Sequence, residues 1–312
     1  MPPYCDREGG YVCNVAITRY AVATLTASRG GAAAELDSSG TEAAPAGGGT
    51  LQRDPLVDAV LRHARVRDVD ASLTNDFPMG AGLGGSSAAS AALFGAVHSW
   101  RREPWILSDV AEAGRRVEVE QMGIAGGRQD HYAATFGGAL GIEFGADASG
   151  AAGVTIQRLA VQERTLRELA SRSLLVYTGE SRISGDTITA VLNAYAARNV
   201  TVLAALERMK ALARQMAVAL ESGDLDGVGR MIGEHWAHQR SLHTAIPTDR
   251  IDAIVERSRA AGALGAKAMG ASGGGCVLVI CAGEGVERIR AAIEKLGTVL
   301  PFEVDTDGLR EL

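Results

Sequence analysis

The sequence predicts an α+β protein of two domains, and three observations lead to this prediction. The chain has 312 residues, about twice the usual domain length of roughly 150. Strand-like segments rich in Val, Ile and Thr mix with segments of helical apolar spacing on both sides of residues 160–172. Glycine supplies 39 residues, an excess expected where the backbone approaches a ligand closely. We place the domains at residues 1–165 and 166–312.

The sequence of the first half of the chain predicts alternating strands and helices. Residues 11–26 are strand-like, and residues 27–50, rich in small and polar residues, form an excursion with little to bury. Ser108 is the expected N-cap of one of the helices. The predicted helices cover residues 54–65, 86–97 and 108–122, and the further strands cover residues 69–73, 138–144 and 154–159.

The second half is predicted to be more helical. Residues 173–177, SLLVY, read as a fully buried strand because they form a short continuous apolar run. A long helical tract is expected over residues 188–220. The remaining predicted helices cover residues 225–243, 248–261 and 287–295, and the remaining strands cover residues 265–268, 276–281 and 299–304.

Charge and cysteine content exclude several functional classes. The net charge is −6, so no basic excess exists to neutralise a nucleic-acid backbone or an anionic lipid surface. No apolar run reaches the roughly 18 residues needed to span a membrane, and the N-terminus shows no leader pattern. The four cysteines form no CxxC pair, which favours reduced thiols. We therefore predict a cytoplasmic protein that binds neither nucleic acid nor membrane.

A glycine-rich loop carries the most informative chemistry. Residues 75–88 read NDFPMGAGLGGSSA, and a predicted helix begins at their end. Glycines allow successive N–H groups to point inward, and a helix N-terminus adds positive potential, so this loop is suited to phosphate. Ser86 and Ser87 add hydroxyls that can reach a phosphate oxygen or Mg²⁺.

Two other interpretations of this loop were weighed. Gly80, Gly82 and Gly85 also satisfy GxGxxG, the dinucleotide fingerprint, but the helix that follows leads into a second helix rather than a second strand. A glycine-rich turn that only packs a helix on a strand is the structural alternative. No GxxxxGK[ST] occurs, which excludes an ordinary P-loop.

Three segments in order resemble the GHMP kinases. They are PMGAGLGGSSA at residues 78–88, EVEQMG with GGRQDHYAATFGG within residues 118–138, and GASGGGC at residues 270–276. Within that family the chain is similar to the D-glycero-D-manno-heptose 7-phosphate kinases, on PPY at residues 2–4 and YTGESR at residues 177–182. The resemblance implies an N-terminal half like ribosomal protein S5 domain 2 and a ferredoxin-like C-terminal half.

The resemblance also implies an ATP-dependent, Mg²⁺-dependent transfer of phosphate to the anomeric hydroxyl of a heptose 7-phosphate. Asp130 would be the catalytic residue that orients or deprotonates the sugar hydroxyl, and Glu118 would hold Mg²⁺ with Ser86 or Ser87. The nucleotide-binding residues would be Gly80, Ala81, Gly82, Leu83, Gly84, Gly85, Ser86, Ser87, Gly273 and Gly274. The substrate-binding residues would be Tyr4, Arg128, Gln129, Thr178 and Arg182.

Each implied role has a structural alternative. Glu118 could be a surface carboxylate of its helix, and Asp130 could cap a turn between glycines. Arg128 could clamp phosphate or be solvated. Thr178 and Arg182 follow a buried strand and could belong to an ordinary polar loop.

The resemblance departs from the family at the N-terminus. Family members similar to this chain carry a strand and a glycine-rich turn before Pro-Pro-Tyr, whereas Met1 directly precedes Pro2 here. We therefore expect a fold that lacks its first strand, from a misassigned start or a shortened enzyme. Two rival functions follow: a fucose-type or galactose-type sugar kinase, or a catalytically weak nucleotide- or sugar-binding homologue. A homodimer is compatible with the sequence.

Overall fold

A computed structural model describes residues 2–28, 54–146, 152–180 and 185–312. The chain divides into two compact units that are each discontinuous in sequence. Unit 1 consists of Met1–Thr18, Gly80–Leu83 and Gly138–Thr306. Unit 2 consists of Arg19–Met79, Gly84–Gly137 and Asp307–Leu312. The predicted boundary between residues 165 and 166 stays a prediction.

The described residues form nine strands. They are β1 (Gly10–Val15), β2 (Ala21–Ala27), β3 (Val69–Asn75), β4 (Ala139–Ala146), β5 (Ala152–Arg158), β6 (Ser173–Tyr177), β7 (Ala263–Ala268), β8 (Cys276–Cys281) and β9 (Thr298–Leu300). The predicted strand at residues 11–26 is therefore two strands, β1 and β2, in different sheets. Most of the predicted excursion at residues 27–50 lies outside the described residues.

The same residues form eleven α-helices. They are α1 (Tyr4–Glu8), α2 (Pro55–His63), α3 (Gly85–Arg101), α4 (Leu107–Arg115), α5 (Gln129–Phe136), α6 (Glu163–Ser171), α7 (Gly185–Ala196), α8 (Val200–Ser222), α9 (Leu225–Ser241), α10 (Asp249–Ala260) and α11 (Val286–Ile293). A π-helical turn, Arg116–Gln121, directly follows α4. Within the described ranges, none of the helices combines the length and apolar composition needed to span a bilayer.

Unit 1 contains two antiparallel sheets with helices packed on them. The first sheet has the order β1-β4-β5 and the second has the order β7-β8-β6-β9. Its main core joins buried side chains of α8 and α9, including Leu212, Leu220 and Ile232, to Ile280 of β8. The β6 sequence SLLVY lies in the middle of its sheet and is almost fully buried, as its apolar run predicts.

Unit 2 packs helices on a two-stranded antiparallel sheet of β2 and β3. Leu73 of β3, Val60 of α2 and Leu93 of α3 belong to one buried apolar cluster. The last residues of the chain complete this unit, since the Leu309 N–H donates to the Thr135 carbonyl of α5 over 3.1 Å. The C-terminal segment thereby holds the end of the helix that begins with Gln129.

The structure refines one predicted helix feature and corrects another. The helical tract at residues 188–220 consists of α7 and α8, because Arg198 adopts φ +57° and Asn199 caps the new helix, α8. The Asn199 Oδ1 accepts the N–H groups of Thr201 and Val202 at 3.0 and 3.1 Å. The prediction that Ser108 is the N-cap of its helix is wrong, since α4 begins one residue before it.

The close packing of α9 on β7 yields a stability prediction. A Cβ at Gly265 of β7 would lie 2.8 Å from the Gly233 nitrogen of α9 and closer still to the Gly229 carbonyl. We expect Gly265→Ala to lower the free energy of unfolding by about 1–3 kcal/mol, the usual effect of overpacking. The control is Gly145→Ala, because a Cβ there meets nothing within 4 Å. Urea unfolding measures both variants, and equal effects would contradict the prediction.

A buried histidine of α9 yields a pH prediction. Burial, together with the positive charge of Lys267, lowers the pKa of His235 to about 3. Because the unfolded chain takes up this proton near pH 6.5, stability should fall as the pH drops from 6.5 towards 3, by up to about 1.4 kcal/mol per pH unit. His235→Leu should flatten this part of the curve of unfolding free energy against pH. If the unfolding free energy of the variant falls with pH as steeply as that of the native protein, the role assigned to His235 is contradicted.

Candidate functional site

The glycine loop has the backbone geometry of an anion-binding segment. Gly80, Gly82 and Gly84 have φ of +70°, +73° and +74°, so left-handed residues alternate with others along the loop. Alternation of this kind turns successive N–H groups towards one side. The 17-residue helix α3 begins directly after it, at Gly85. The N-terminus of a helix carries positive potential that stabilises a phosphate group.

Within unit 1, the first part of this loop packs against the third glycine-rich segment. The Cys276 N–H donates to the Ala81 carbonyl over 2.8 Å. A Cβ at Gly82 would lie 2.9 Å from the Met269 carbonyl oxygen, and one at Gly275 would lie 2.7 Å from the Ala81 oxygen. The two segments that the sequence singled out for phosphate therefore lie together, and glycine is what allows their backbones to approach so closely.

The structure also describes the other predicted residues of that third segment. The Gly273 N–H donates to the Ile246 carbonyl over 2.8 Å, so this amide is already used within unit 1. A Cβ at Gly274 would lie 2.7 Å from the Glu180 carbonyl. Ser272 adopts φ +71°, a left-handed conformation that favours glycine, and its hydroxyl donates to the Ile246 carbonyl over 2.7 Å. Nucleotide binding by Gly273 and Gly274 stays a prediction.

Within unit 2, Asp130 lies against the second part of the loop. A Cβ at Gly84 would lie 2.9 Å from the Asp130 Cβ. Asp130 occupies the first turn of α5, where the helix dipole stabilises a carboxylate, and the Gln129 amide donates to its Oδ1 over 3.3 Å. The predicted base and the end of the predicted phosphate loop are therefore neighbours in one unit.

Glu118 is buried, which overturns the surface-carboxylate alternative. Only 5% of it is exposed, and it lies on the π-helical turn that follows α4. Turns of this kind occur often at functional sites. Its Oε2 lies 3.0 Å from Nε2 of His131, whereas Oε1 is buried without a hydrogen-bond partner. The neighbouring Glu120 instead pairs with Arg115 at the surface, over 2.6 Å.

The two predicted hydroxyl ligands differ in their surroundings. Ser86 is exposed in the first turn of α3, whereas Ser87 is 5% exposed. The Ser87 Oγ lies 3.4 Å from Nδ1 of His131, whose other ring nitrogen faces Glu118. Ser87 is therefore the hydroxyl that the fold connects to the buried carboxylate.

An orphaned buried carboxylate oxygen fits a divalent cation. No group of three or more His, Cys, Asp or Glu side chains forms a complete metal cage among the described residues. Mg²⁺ does not need one, because it is usually held by one or two carboxylates, water and substrate phosphates. Glu118 Oε1 and the Ser87 hydroxyl are oxygen donors of the required kind, so the residues present fit the ion.

Arg128 contacts a half-buried carboxylate, Glu112, that the sequence did not single out. Its Nε lies 3.8 Å from Glu112, which also accepts a hydrogen bond from Tyr132 over 2.8 Å and one from Arg115 over 3.0 Å. Burial alone would raise the pKa of Glu112, but these hydrogen bonds and positive charges outweigh it and lower the pKa. The arrangement holds Arg128 at the start of α5, and its role in substrate binding stays a prediction.

The remaining predicted substrate residues belong to unit 1. The Tyr4 hydroxyl donates to Glu207 over 3.1 Å, and its ring packs edge-on against Tyr195. The Thr178 hydroxyl is buried and donates to the Gly275 carbonyl over 2.8 Å. Arg182 lies outside the described residues. Substrate binding by Tyr4, Thr178 and Arg182 stays a prediction.

Sequence reasoning missed His131 and Glu112. His131 stands beside Asp130 in the quoted motif, and that adjacency was the available signal. Nothing in the spacing indicates that it bridges residues 87 and 118, because the three residues lie on different elements. Glu112 was missed as well, because its partners Arg115 and Tyr132 lie on two different helices.

Comparisons with known proteins identify the family of this chain. The model of the GHMP kinases N terminal domain matches residues 53–138, and that of the GHMP kinases C terminal matches residues 216–298, so the two span more than half of the chain. The chain belongs to the GHMP kinases. It is therefore an ATP-dependent phosphotransferase, and the predicted two-domain α+β class is confirmed. The expected absence of a first strand stays a prediction.

Similar proteins include several kinases. A D-glycero-alpha-D-manno-heptose 7-phosphate kinase from Campylobacter jejuni is 26% identical over 98% of this chain and 92% of its own length. A mevalonate kinase from Pyrococcus abyssi is 28% identical over 81% of this chain and 72% of its own. The crystal structure of a D-glycero-D-manno-heptose 1-phosphate kinase from Bacteroides thetaiotaomicron has a TM-score of 0.72 at 23% identity, covering 100% of this chain and 94% of that one.

The contact between Gly84 and Asp130 can be tested with a matched pair of variants. Gly84 and Gly123 have nearly equal φ of +74° and +69°, but a Cβ at Gly123 meets nothing within 4 Å. Both alanine variants should lose about 1–2 kcal/mol of stability to left-handed strain. Gly84→Ala should additionally displace Asp130 and slow ADP formation, whereas Gly123→Ala should not. Equal rates for the two variants would refute a functional contact at Gly84.

Proposed function

We propose that this chain transfers the γ-phosphoryl group of ATP to the anomeric hydroxyl of a heptose 7-phosphate in the presence of Mg²⁺. One observation carries the proposal: unit 2 holds a buried carboxylate, a hydroxyl and an acidic residue beside the end of the glycine loop. Those are the groups that phosphoryl transfer requires, because it depends on alignment and charge neutralisation more than on covalent chemistry.

The glycine loop binds the phosphates of ATP in this proposal. Residues 80–85 present their N–H groups, and the N-terminus of α3 adds positive potential. Glycine at 82 and 84 is needed on two grounds, since both positions have positive φ and leave no room for a Cβ. The backbone thus supplies the binding energy, and no lysine of a P-loop is required.

Glu118 Oε1 and the Ser87 hydroxyl hold Mg²⁺ in this proposal. The ion supplies charge neutralisation on the phosphate oxygens. Burial of Glu118 makes its interaction with a cation strong, because little water competes for the carboxylate. The exposed Ser86 is the weaker candidate for this role.

Asp130 accepts the proton of the sugar hydroxyl. The hydroxyl oxygen forms a bond to the γ-phosphorus, the bond from that phosphorus to the bridging oxygen breaks, and ADP leaves. The contact between Asp130 and Gly84 at the end of the loop supports this role. The N-terminus of α5 favours its ionised form, which is the form that acts as a base.

The heptose 7-phosphate acceptor rests on sequence resemblance. The Campylobacter jejuni relative is named for that substrate, and it matches this chain over 92% of its own length. The proposed substrate residues are Tyr4, Arg128, Gln129, Thr178 and Arg182. An arginine is suited to the substrate phosphate because its guanidinium binds phosphate in a bidentate manner. Cys5, Cys13 and Cys281 form no disulfide, which supports a reducing compartment, and we propose that the reaction takes place in the cytoplasm.

An acceptor panel tests the proposed function. Purified protein is incubated with ATP, Mg²⁺ and, in separate arms, heptose 7-phosphate, unphosphorylated heptose, fucose, galactose and mevalonate, and ADP release is followed. Activity confined to heptose 7-phosphate supports the proposal. Equal activity with an unphosphorylated sugar supports the fucose-type or galactose-type alternative. Nucleotide binding without ADP release in any arm supports a catalytically weak homologue.

Carboxylate variants test the roles within the site. Asp130→Asn should lower kcat by about 10²–10⁴-fold with little change in ATP binding, because general base catalysis contributes that much. Glu118→Gln should raise the Mg²⁺ concentration needed for half-maximal rate. Glu120→Gln is the matched control, since Glu120 lies two residues away and is paired at the surface. A Glu120→Gln defect as large as that of Glu118→Gln would reject the proposed ligand.

A further inference from the structure

His131 lies between the two groups proposed to hold Mg²⁺. It is 3% exposed, its Nε2 lies 3.0 Å from Oε2 of Glu118, and its Nδ1 lies 3.4 Å from Oγ of Ser87. We propose that His131 is a positioning residue that fixes the Glu118 carboxylate and the Ser87 hydroxyl for the metal ion. This inference rests on the proposed roles of Glu118 and Ser87.

The chemistry of the imidazole ring determines which way each contact runs. A carboxylate can only accept hydrogen bonds, so the ring nitrogen facing Glu118 carries the proton. The contact of Nε2 with Oε2 is an ion-pair contact at 3.0 Å, and Nε2 has no hydrogen-bond partner among the described atoms. In this tautomer Nδ1 keeps its lone pair and accepts the hydroxyl hydrogen of Ser87.

Both contacts leave oxygen lone pairs free for a cation. Once the Ser87 hydrogen points at His131, the lone pairs of its Oγ face away from the ring. Once Oε2 of Glu118 is held, the second oxygen, Oε1, is left buried without a partner. One histidine thus orients two ligands that come from different elements, as outer-shell groups do in metal sites generally.

Packing holds the ring in this orientation. A Cβ at Gly114 of α4 would lie 3.0 Å from Cδ2 of His131 and 2.7 Å from Oγ of Ser90. The Ser90 hydroxyl donates to the Ser87 carbonyl over 3.0 Å, and the Thr135 hydroxyl donates to the His131 carbonyl over 2.7 Å. Glycine at 114 is therefore what makes room for a ring at this position, and the ring has little freedom to turn.

Calorimetry with a non-hydrolysable ATP analogue tests this role. The analogue is titrated into the protein with and without Mn²⁺, and the quantity of interest is the factor by which Mn²⁺ tightens binding. That factor reports the metal ligands, whereas metal-free binding reports the glycine loop. A merely structural role for His131 would change both together.

Three variants and one control separate the two contacts. His131→Leu removes both and should reduce the Mn²⁺ factor by about 10–100-fold while metal-free binding stays unchanged. His131→Gln, whose amide N–H reaches the place of Nε2, should keep most of the factor. His131→Asn, whose amide reaches only the place of Nδ1, should lose most of it. His98→Leu is the control, because His98 also faces a carboxylate, Glu103, but over 3.8 Å at the surface.

The outcomes are distinguishable from failure of the proposed function. If Glu118→Gln keeps the Mn²⁺ factor, the proposed metal ligand is wrong. If Glu118→Gln loses the factor and His131→Leu keeps it, the positioning role alone is overturned. Equal loss of metal-free and Mn²⁺-dependent binding in His131→Leu, or a larger loss in the Gln variant than in the Asn variant, would also overturn it. Circular dichroism without metal checks the folding of every variant. If His131→Leu does not fold, the comparison of His131→Gln with His131→Asn decides whether the positioning role holds.

Discussion

A carboxylate buried away from water needs a compensating interaction. At Glu118, the elements of unit 2 that surround the side chain are arranged to meet that requirement in part. Burying an ionised group without a partner costs several kcal/mol, so a fold keeps such a group only where something offsets the cost. His131 approaches one carboxylate oxygen, while the other has no protein partner. The π-helical turn, the glycine at 114 and the position of α5 all serve to create this half-compensated carboxylate. That incomplete pairing is the basis for the proposal that Glu118 holds a cation.

Most of the fold could be predicted because its signals are local. The buried strand β6 is a short apolar run, and α2 has apolar residues on one face after an aspartate cap, so each carries its evidence within a few residues. The break before α8 carries a weaker signal. Neither glycine nor proline marks it, and only the capping asparagine at 199, with an arginine in left-handed conformation before it, divides the predicted helical tract.

The site was predictable only in part, for a related reason. Glycine spacing indicates a phosphate loop, because backbone conformation depends on the residues themselves. Glu118 and Asp130 were found through resemblance, and the structure gives each a setting that spacing could not supply. The burial of Glu118 depends on a π-helical turn, and the contacts of His131 join residues 87 and 118 across three elements. Such contacts depend on tertiary packing, which produces no periodic pattern in the sequence.

The backbone bond from Leu309 to Thr135 has a consequence for how unit 2 responds to substitution. It ties a segment that is remote in sequence to the helix that starts at Gln129 and carries Asp130. A substitution near Leu309 that weakens this bond would therefore loosen the far end of that helix. Residues around Leu309 thus belong in any mutational survey of this helix.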